Sequence, residues 1–192
     1  VKLYIELVMD EKVEAADVLP KCIAHLSNTI DEIRSLSKQL SAPSLGNINF
    51  KETLNDLVDS LRSAAQVEVH VDLDKLSFAE MENELHLTLY RVTQEQFTNI
   101  IKYANASKVK LFLKEEDTVL SFTIADNGVG FDPSQKRPGI GITNMQTRVE
   151  TLSGDFQVFS KPGEGTTLTI DIPIIIEEGV CYAEQTVLNL AE

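Results

Sequence analysis

Two pairs of short alternating segments constrain the fold of this chain most. In each pair, apolar and polar residues alternate with the period of a strand, and a short polar turn joins the two segments. The apolar positions are Val109, Leu111 and Leu113 with Leu120, Phe122 and Ile124, and Phe156 and Val158 with Leu168, Ile170 and Ile172. Strands joined by short turns pair antiparallel, whereas a doubly wound sheet needs a helix between successive strands. The pattern therefore predicts an α+β fold.

Helical patterns surround these strands. Asn49 and Glu52 resemble a capping box and predict a helix that begins at Phe50. A strand is expected over residues 67–71, a long helix over 82–104 and a further helix over 145–152. The resulting order is helix, strand, helix, two strands, loop, helix and two strands. This order predicts a two-layer α/β sandwich with a mixed sheet.

A heptad stripe marks the N-terminal part of the chain. Apolar or small residues recur with 3-4 spacing at Leu19, Cys22, Leu26, Thr29, Ile33, Leu36 and Leu40. This spacing predicts a helix that joins a dimeric bundle, and the alternative is an ordinary helix facing its own core. Val1 to Val8 has the pattern of the end of an earlier helix. Ser41 to Gly46 breaks the periodicity, which predicts a domain boundary.

Composition excludes several classes of protein. The chain has 192 residues and a formal net charge of −13 at pH 7, so nucleic-acid binding is not expected. No apolar run approaches the ~20 residues of a membrane-spanning helix. Cys22 and Cys181 cannot form a disulfide scaffold and are interpreted as thiols in a reducing compartment. The chain begins at Val1 without an initiator Met, which we interpret as a fragment or a processed product.

The helix over 82–104 carries the first candidate site. Glu95 and Asn99 are four residues apart and share one helical face, and Lys102 lies three residues beyond Asn99. Carboxylate and amide oxygens suit Mg2+, and an ammonium group suits phosphate. The face therefore favours a site for Mg2+ and phosphate. The alternative is a solvated helix face with a contact between Glu95 and Asn99.

The second candidate site is the segment Asp126 to Asp132, directly after a strand. Gly128 and Gly130 allow a ligand or another backbone to approach closely. Asp126, at the strand end, is placed to accept a hydrogen bond from an exocyclic amine such as that of adenine. A plain turn or a calcium loop is the alternative, but the carboxylates lack the spacing of an EF-hand.

The third candidate site is Gly139 to Met145, where glycines run into a predicted helix. Free N–H groups and the dipole at a helix N-terminus favour an anion. The segment has neither the spacing of a Walker loop nor that of a dinucleotide fingerprint. A flexible loop is the alternative.

In this order, the three segments resemble the N box and the two glycine boxes of the GHKL ATPase superfamily. The ATP-binding catalytic domain of sensor histidine kinases is the most similar member. Gly163 to Thr167 is similar to the late glycine turn of that domain, and the likeness covers about residues 50–175. It implies the GHKL, or Bergerat, ATP-binding fold with ATP and Mg2+ as cofactors.

The subfamily with nitrate-sensor-like and lipid-fluidity-sensor-like members is the most similar. The runs that carry this resemblance are Arg91 to Lys102 with Ala106-Ser107, and Gly141 to Val149. Residues 30–43 resemble the second helix of the dimerisation and phosphotransfer hairpin. The resemblance thus divides the chain into hairpin helices over 1–44, a catalytic domain over 45–176 and a tail over 177–192.

The resemblance also implies a role for each matching residue. Glu95 acts as, or orients, the general base, while Asn99 ligates Mg2+ and Lys102 contacts phosphate. Asp126 binds the adenine amino group. The other nucleotide-binding positions implied are Tyr103, Gly128, Gly130, Gly139, Gly141, Ile142 and Thr166, the last directly or through water. Residues 131–141 correspond to the ATP lid, with Gly139 and Gly141 at its hinge.

Two positions depart from the family pattern. Tyr103 stands where the family commonly has His, so a charge role there is not expected, although the hydroxyl can donate a hydrogen bond. The family's phosphoacceptor is a His followed by an acidic residue. None of His25, His70 and His86 has such a neighbour. The acceptor is expected about ten residues before Val1, three helical turns upstream, and this chain is not expected to autophosphorylate.

The expected function is ATP-dependent phosphorylation of a histidine, followed by transfer to an aspartate of a response regulator. A homodimer through the helical stripe is expected. The resemblance implies a bacterial cytoplasmic domain in a protein that an upstream segment can anchor to the membrane. The alternatives are a non-catalytic interaction module with a decayed nucleotide site and a serine kinase similar to anti-sigma factors.

Overall fold

The computed structural model describes residues 19–23, 26, 49–73, 76–133 and 139–186. The chain divides into two compact units, Val1–Ser44 and Leu45–Glu192. In the first unit, residues 19–23 and 26 are helical. Cys22 is buried there, whereas Leu19, Ile23 and Leu26 are exposed. The rest of the predicted stripe and the predicted helix at Val1–Val8 lie outside the described residues.

Three α-helices of the second unit lie entirely within the described residues, and residues 184–186 are helical as well. Helix α1 spans Phe50–Ala65, α2 spans Asn83–Asn99 and α3 spans Ile140–Thr151. The side chain of Asn49 caps α1 by accepting a hydrogen bond from the N–H of Lys51 at 2.8 Å. Glu82 caps α2 in the same way, through the N–H groups of Glu84 and Leu85. In the described part of the chain, no helix is both long and apolar enough to cross a bilayer.

Seven strands are formed by the described residues. They are β1 (Glu68–Leu73), β2 (Glu80–Met81), β3 (Lys108–Glu116), β4 (Val119–Asp126), β5 (Asp155–Lys161), β6 (Gly165–Glu177) and β7 (Val180–Ala183). Their order is β1-β3-β4-β6-β7-β2, and β5 also pairs with β6. The pairs β1–β3 and β2–β7 are parallel, and the others are antiparallel. The predicted mixed sheet and both predicted hairpins are confirmed.

The core lies between the helices and one face of the sheet. Strand β4 shows why, because Leu120, Phe122 and Ile124 are buried while the residues between them are partly exposed. Leu54 on α1 and Leu89 on α2 are also buried and join the same apolar cluster. These layers form the α+β sandwich that the sequence predicts.

Three details differ from the expectations. The long helix ends at Asn99 and continues as a π-helical turn, Ile100–Ala104. The polar run Glu115-Glu116-Asp117 predicts a turn, but β3 includes both Glu115 and Glu116, so the chain turns only after them. Residues 177–192 were expected to form a separate tail, yet β6 ends at Glu177 and β7 pairs with it. A strand of four residues is too short to give a clear alternation.

Candidate nucleotide-binding site

A pocket of about 640 Å³ opens at the C-terminal end of α2. Its walls are the end of α2 with the π-helical turn, the loop after β4, the start of α3, and one residue of β5 and two of β6. This volume lies in the range of pockets that hold small molecules. The three sequence segments singled out above therefore meet around a single cavity.

Helix α2 supplies the polar wall of the pocket. Glu95 and Asn99 are half-buried and line it one turn apart, together with the buried Gln96, while Phe97 packs in the core. The π-helical turn then carries Tyr103 to the rim, where it is 71% exposed. Single π-helical turns inside α-helices occur frequently at functional sites.

Asp126 ends β4 at the bottom of the pocket and is 8% exposed. Burial raises the pKa of this carboxyl, and hydrogen bonds from the N–H groups of Gly128 and Thr166 oppose that rise. The Gly128 N–H donates to Oδ1 at 2.8 Å. The two backbone donors fix the orientation of the carboxylate. The side chain is thus a preoriented hydrogen-bond acceptor.

The loop after β4 is tied to the π-helical turn. The Val129 N–H donates to the Ala104 carbonyl at 2.7 Å. Oδ1 of Asn127 accepts hydrogen bonds from the N–H groups of Ser107 at 3.0 Å and Lys108 at 2.8 Å. Gly128 lies directly against the Ala104 carbonyl, and a Cβ at this position would collide with that carbonyl. These bonds hold two walls of the pocket together.

The β5–β6 hairpin holds the other side of the same loop. Gly130 has a φ of 58° and lies so close to the Lys161 and Gly165 carbonyls that a Cβ would overlap them. The Gly163 N–H donates to the Val129 carbonyl at 2.7 Å. The loop that begins the expected lid is therefore anchored on both sides.

Helix α3 presents its N-terminus to the pocket. Its N-cap is Gly139, which makes no side-chain capping bond, and Gly141 and Ile142 line the cavity. The Glu95 carboxylate lies against Gly141, where a Cβ would collide with Oε1. Free N–H groups in the first turn of a helix favour an anionic ligand. This end of the pocket can accept phosphate.

Most of the predicted site residues line this pocket. They are Glu95, Asn99, Tyr103, Asp126, Gly130, Gly139, Gly141, Ile142 and Thr166. Lys102 and Gly128 do not. Lys102 is exposed on the π-helical turn, and Gly128 is packed behind the loop. Residues 134–138 of the expected lid lie outside the described residues.

Several apolar lining residues were not predicted. The pocket is also lined by Ile100, Val129, Phe131, Ile140, Met145, Val158 and Leu168. Met145, Val158 and Leu168 follow the same periodicities as core residues in the sequence, and no local signal separates them from the core. Val129, Phe131 and Ile140 lie within the second and third candidate segments, where other residues were singled out. Their contribution is an apolar cleft, which suits a flat base.

The donor set of the pocket fits a magnesium ion bound together with phosphate. Glu95 and Asn99 offer oxygen atoms from one wall, and Mg2+ takes few protein ligands when phosphates and water complete its octahedron. Among the described residues, no group of three or more His, Cys, Asp or Glu side chains could hold a metal by itself. A metal here therefore depends on the ligand's own oxygens.

Comparison with known proteins agrees with this geometry. Residues 84–176 match the family of histidine kinase-, DNA gyrase B-, and HSP90-like ATPases. The match runs from the start of α2 nearly to the end of β6 and contains all the pocket-lining residues. Fold, pocket and family match agree that residues 84–176 resemble a GHKL-type ATP-binding domain.

Two proteins that are similar to this chain over most of its length are histidine kinases. The chain is 30% identical over 179 residues to the signal transduction histidine-protein kinase/phosphatase DegS of Brevibacillus brevis, covering 92% of this chain and 45% of the relative. It is 29% identical over 149 residues to the sensor histidine kinase LiaS of Bacillus subtilis (strain 168), covering 77% and 41%. Both of these relatives are named as histidine kinases. The chain spans less than half the length of either relative.

Solved structures agree on the fold. The blue-light activated histidine kinase of Erythrobacter litoralis EL346 superimposes with a TM-score of 0.61 at 21% sequence identity. The superposition covers 74% of this chain and 49% of that structure.

Proposed function

We propose that this chain is the ATP-binding part of a bacterial sensor histidine kinase. In the whole protein, a histidine nitrogen attacks the γ-phosphorus of ATP, the bond from that phosphorus to the bridging oxygen breaks, and ADP leaves. The phosphoryl group then passes from the histidine to an aspartate of a response regulator. The observation that carries this proposal is the single pocket in which Asp126, Asn99 and the start of α3 meet.

The base of the nucleotide binds at the buried end of the pocket. Asp126 accepts a hydrogen bond from the adenine amino group, and Thr166 contacts the base directly or through water. The apolar lining residues cover the faces of the ring. This arrangement is supported by the fixed orientation of the Asp126 carboxylate and by the apolar walls around it.

The phosphates bind between α2 and the start of α3. Asn99 is the Mg2+ ligand, and Lys102 and the Tyr103 hydroxyl reach phosphate from the rim. Gly139 and Gly141 belong to the start of α3, whose free N–H groups bind phosphate beside the Glu95 carboxylate. Glu95 orients the attacking imidazole or accepts its proton. Phosphoryl transfer requires mainly positioning and charge stabilisation, which these groups supply.

The remaining features of the proposal concern the whole protein. The chain belongs to the subfamily with nitrate-sensor-like and lipid-fluidity-sensor-like members, acts in the bacterial cytoplasm and forms a homodimer through helices of residues 1–44. The exposed Leu19, Ile23 and Leu26 support the dimer, because such side chains gain from burial against a partner helix. Sedimentation that shows only monomer at tens of micromolar would contradict this part of the proposal.

Calorimetric titration of ATP with and without Mg2+ tests the proposed site. We expect binding that Mg2+ strengthens, a loss of that Mg2+ dependence in Asn99→Ala, and at least about tenfold weaker ATP binding in Asp126→Asn, which loses a charged acceptor.

Ser121→Ala serves as the matched control, because Ser121 is a half-buried residue of β4 that lies outside the pocket. Its ATP affinity should equal that of the unchanged chain. Absence of ATP binding to the unchanged chain, with or without Mg2+, would contradict the proposal and favour a non-catalytic interaction module.

A further inference from the structure

Ser160 lies near the pocket and is not among the site residues predicted from the sequence. It lies on β5 directly opposite Thr166 of β6, in the register of the two strands. Three hydrogen bonds meet at its hydroxyl oxygen. The partners are the Phe131 N–H at 2.9 Å, the Gly165 carbonyl at 3.0 Å and the Thr166 hydroxyl at 3.0 Å.

The chemistry of these partners fixes the direction of each bond. The Gly165 carbonyl can only accept, so the single proton of the Ser160 hydroxyl is donated to it. The Phe131 N–H can only donate, so it occupies one lone pair of the Ser160 oxygen. The bond between the two hydroxyls must therefore use the proton of Thr166. Ser160 is then saturated, with one bond donated and two accepted.

The direction of the hydrogen bond from Thr166 to Ser160 determines whether the Thr166 hydroxyl can donate to a ligand or accept from it. Because its proton is directed to Ser160, only its oxygen lone pairs remain for the pocket, which Thr166 lines. The neighbouring strand places Asp126 opposite Thr166, and the Asp126 carboxylate is also an acceptor. The base-binding end of the pocket thus presents two side-chain acceptors to the edge of a ligand.

We propose that Ser160 is a specificity-determining residue, which holds the Thr166 hydroxyl as an acceptor and so favours a base with an amino group over one with a carbonyl. The proposal rests on the nucleotide site described above. A carbonyl group at this edge would face two acceptors and find no donor, and an unpaired buried polar group is costly. In this arrangement both acceptors face position 6 of the purine, where the two hydrogens of the adenine amino group can be donated to them and the carbonyl of hypoxanthine has nothing to donate. Position 1, which accepts in adenine and donates in hypoxanthine, is not their partner.

The test compares ATP with inosine triphosphate in competitive binding measurements. The unchanged chain should prefer ATP. In Ser160→Ala the Thr166 proton is free to rotate into the pocket and donate to the carbonyl. The preference for ATP should therefore narrow by about three- to tenfold, the worth of one hydrogen bond.

Thr166→Val provides a second and independent variant, because it removes the hydroxyl that Ser160 is proposed to orient. It should narrow the preference as well. In the double variant, Ser160→Ala should add nothing to the effect of Thr166→Val, since residues that act through one another are not additive. Ser121→Ala, which removes another half-buried serine hydroxyl from the same sheet, should leave the ratio unchanged.

The outcomes distinguish this inference from the proposed function. If the unchanged chain binds no ATP, the proposed function is wrong and this inference falls with it. If it binds ATP and Ser160→Ala keeps the original ratio, only the role of Ser160 is overturned. Ser160→Ala is also measured in the Thr166→Val background. If it narrows the preference for ATP by the same factor there as in the unchanged chain, the role of Ser160 is overturned, because the effect does not then act through the Thr166 hydroxyl.

Discussion

The N-terminal and C-terminal ends of helix α2 lie in very different surroundings. In the N-terminal part, Leu85, Leu89 and Val92 have no exposed surface, and His86 is 2% exposed. In the C-terminal part, Glu95 and Asn99 are half-buried, and Tyr103 on the following turn is 71% exposed. One continuous segment therefore passes from the core into the wall of an open pocket.

The difference shows how a rigid element can carry a binding site. The first part of α2 is fixed by the Glu82 cap and by packing against α1, while the last part presents polar groups to the pocket. Binding groups are held more accurately by elements whose own packing is fixed. We therefore expect substitutions at the N-terminal end to change stability and those at the C-terminal end to change ligand affinity.

The largest effect on stability is expected for Leu89→Ala. Leu89 is fully buried, so its truncation leaves a cavity and should lower the free energy of unfolding by about 2–5 kcal/mol. Urea denaturation measures this change. The matched control is Ile101→Ala on the π-helical turn, where the side chain is 47% exposed and the loss should be below about 1 kcal/mol. Equal losses in the two variants would contradict the proposed difference.

A smaller effect is expected for Gly128→Ala, which adds a methyl group against the Ala104 carbonyl. The overlap should separate the loop from the π-helical turn, lower the free energy of unfolding by about 1–3 kcal/mol and weaken ATP binding. Thermal unfolding and calorimetry report the two effects. Gly139→Ala is the control for stability alone, because its added methyl group meets open space but Gly139 lines the pocket. Wild-type stability in Gly128→Ala would show that this close contact is unimportant.

A pH effect is expected from His86, whose pKa is lowered by burial. The Thr53 hydroxyl donates to the Phe50 carbonyl at 2.9 Å, so Nε2–H of a neutral His86 donates to Thr53 at 2.8 Å. Below pH about 6.5, the neutral imidazole of His86 binds a second ring proton more readily in the unfolded state than in the folded state. The stabilisation from this group is thus present above that pH and is lost as pH falls.

His86→Gln isolates this effect, because glutamine can donate the same bond but does not titrate. Urea denaturation at pH 7.5 and pH 5.5 should show a smaller loss of stability in the variant than in the unchanged chain. The raised pKa of Asp126 acts in the opposite direction, but it is common to both proteins. Identical pH dependence of the two proteins would contradict the prediction.

The smallest effect on stability is expected for Tyr103→Phe, because the side chain is mostly exposed. The free energy of unfolding should change by less than about 0.5 kcal/mol. ATP affinity should fall if the hydroxyl reaches phosphate, and calorimetry at equal Mg2+ measures this. Unchanged affinity would contradict the proposed contact between the Tyr103 hydroxyl and phosphate.

The sequence predicted the order of the larger elements and most of the polar pocket residues. Long strands such as β3 and β4 alternate over enough residues to be recognised, and the hairpin between them follows from the short turn. The two-residue β2 and four-residue β7 are too short for such a pattern. They form because β7 pairs with β6 and β2 pairs with β7. Short strands of this kind depend on tertiary contacts.

The rest of the site required the three-dimensional structure. A change from α-helical to π-helical hydrogen bonding at Ile100 leaves no mark in the residue types. The role proposed for Ser160 depends on a hydrogen bond from Phe131, which is distant in the sequence, and on two partners across the β5–β6 hairpin, and no sequence motif indicates this combination. Apolar lining residues such as Leu168 and Met145 have the pattern of core residues. Sequence patterns thus identified the polar groups, while packing determined how they are oriented.

Hydrogen exchange of the chain with and without Mg-ATP tests most directly whether the nucleotide binds at the C-terminal end of α2. We predict new protection at the end of α2 and the π-helical turn, in the loop after β4 and in the first turn of α3. Amides of residues 87–93 should be protected already and change little, because this part of α2 is packed in the core. Protection confined to another surface, or no change at saturating Mg-ATP, would contradict the proposed site.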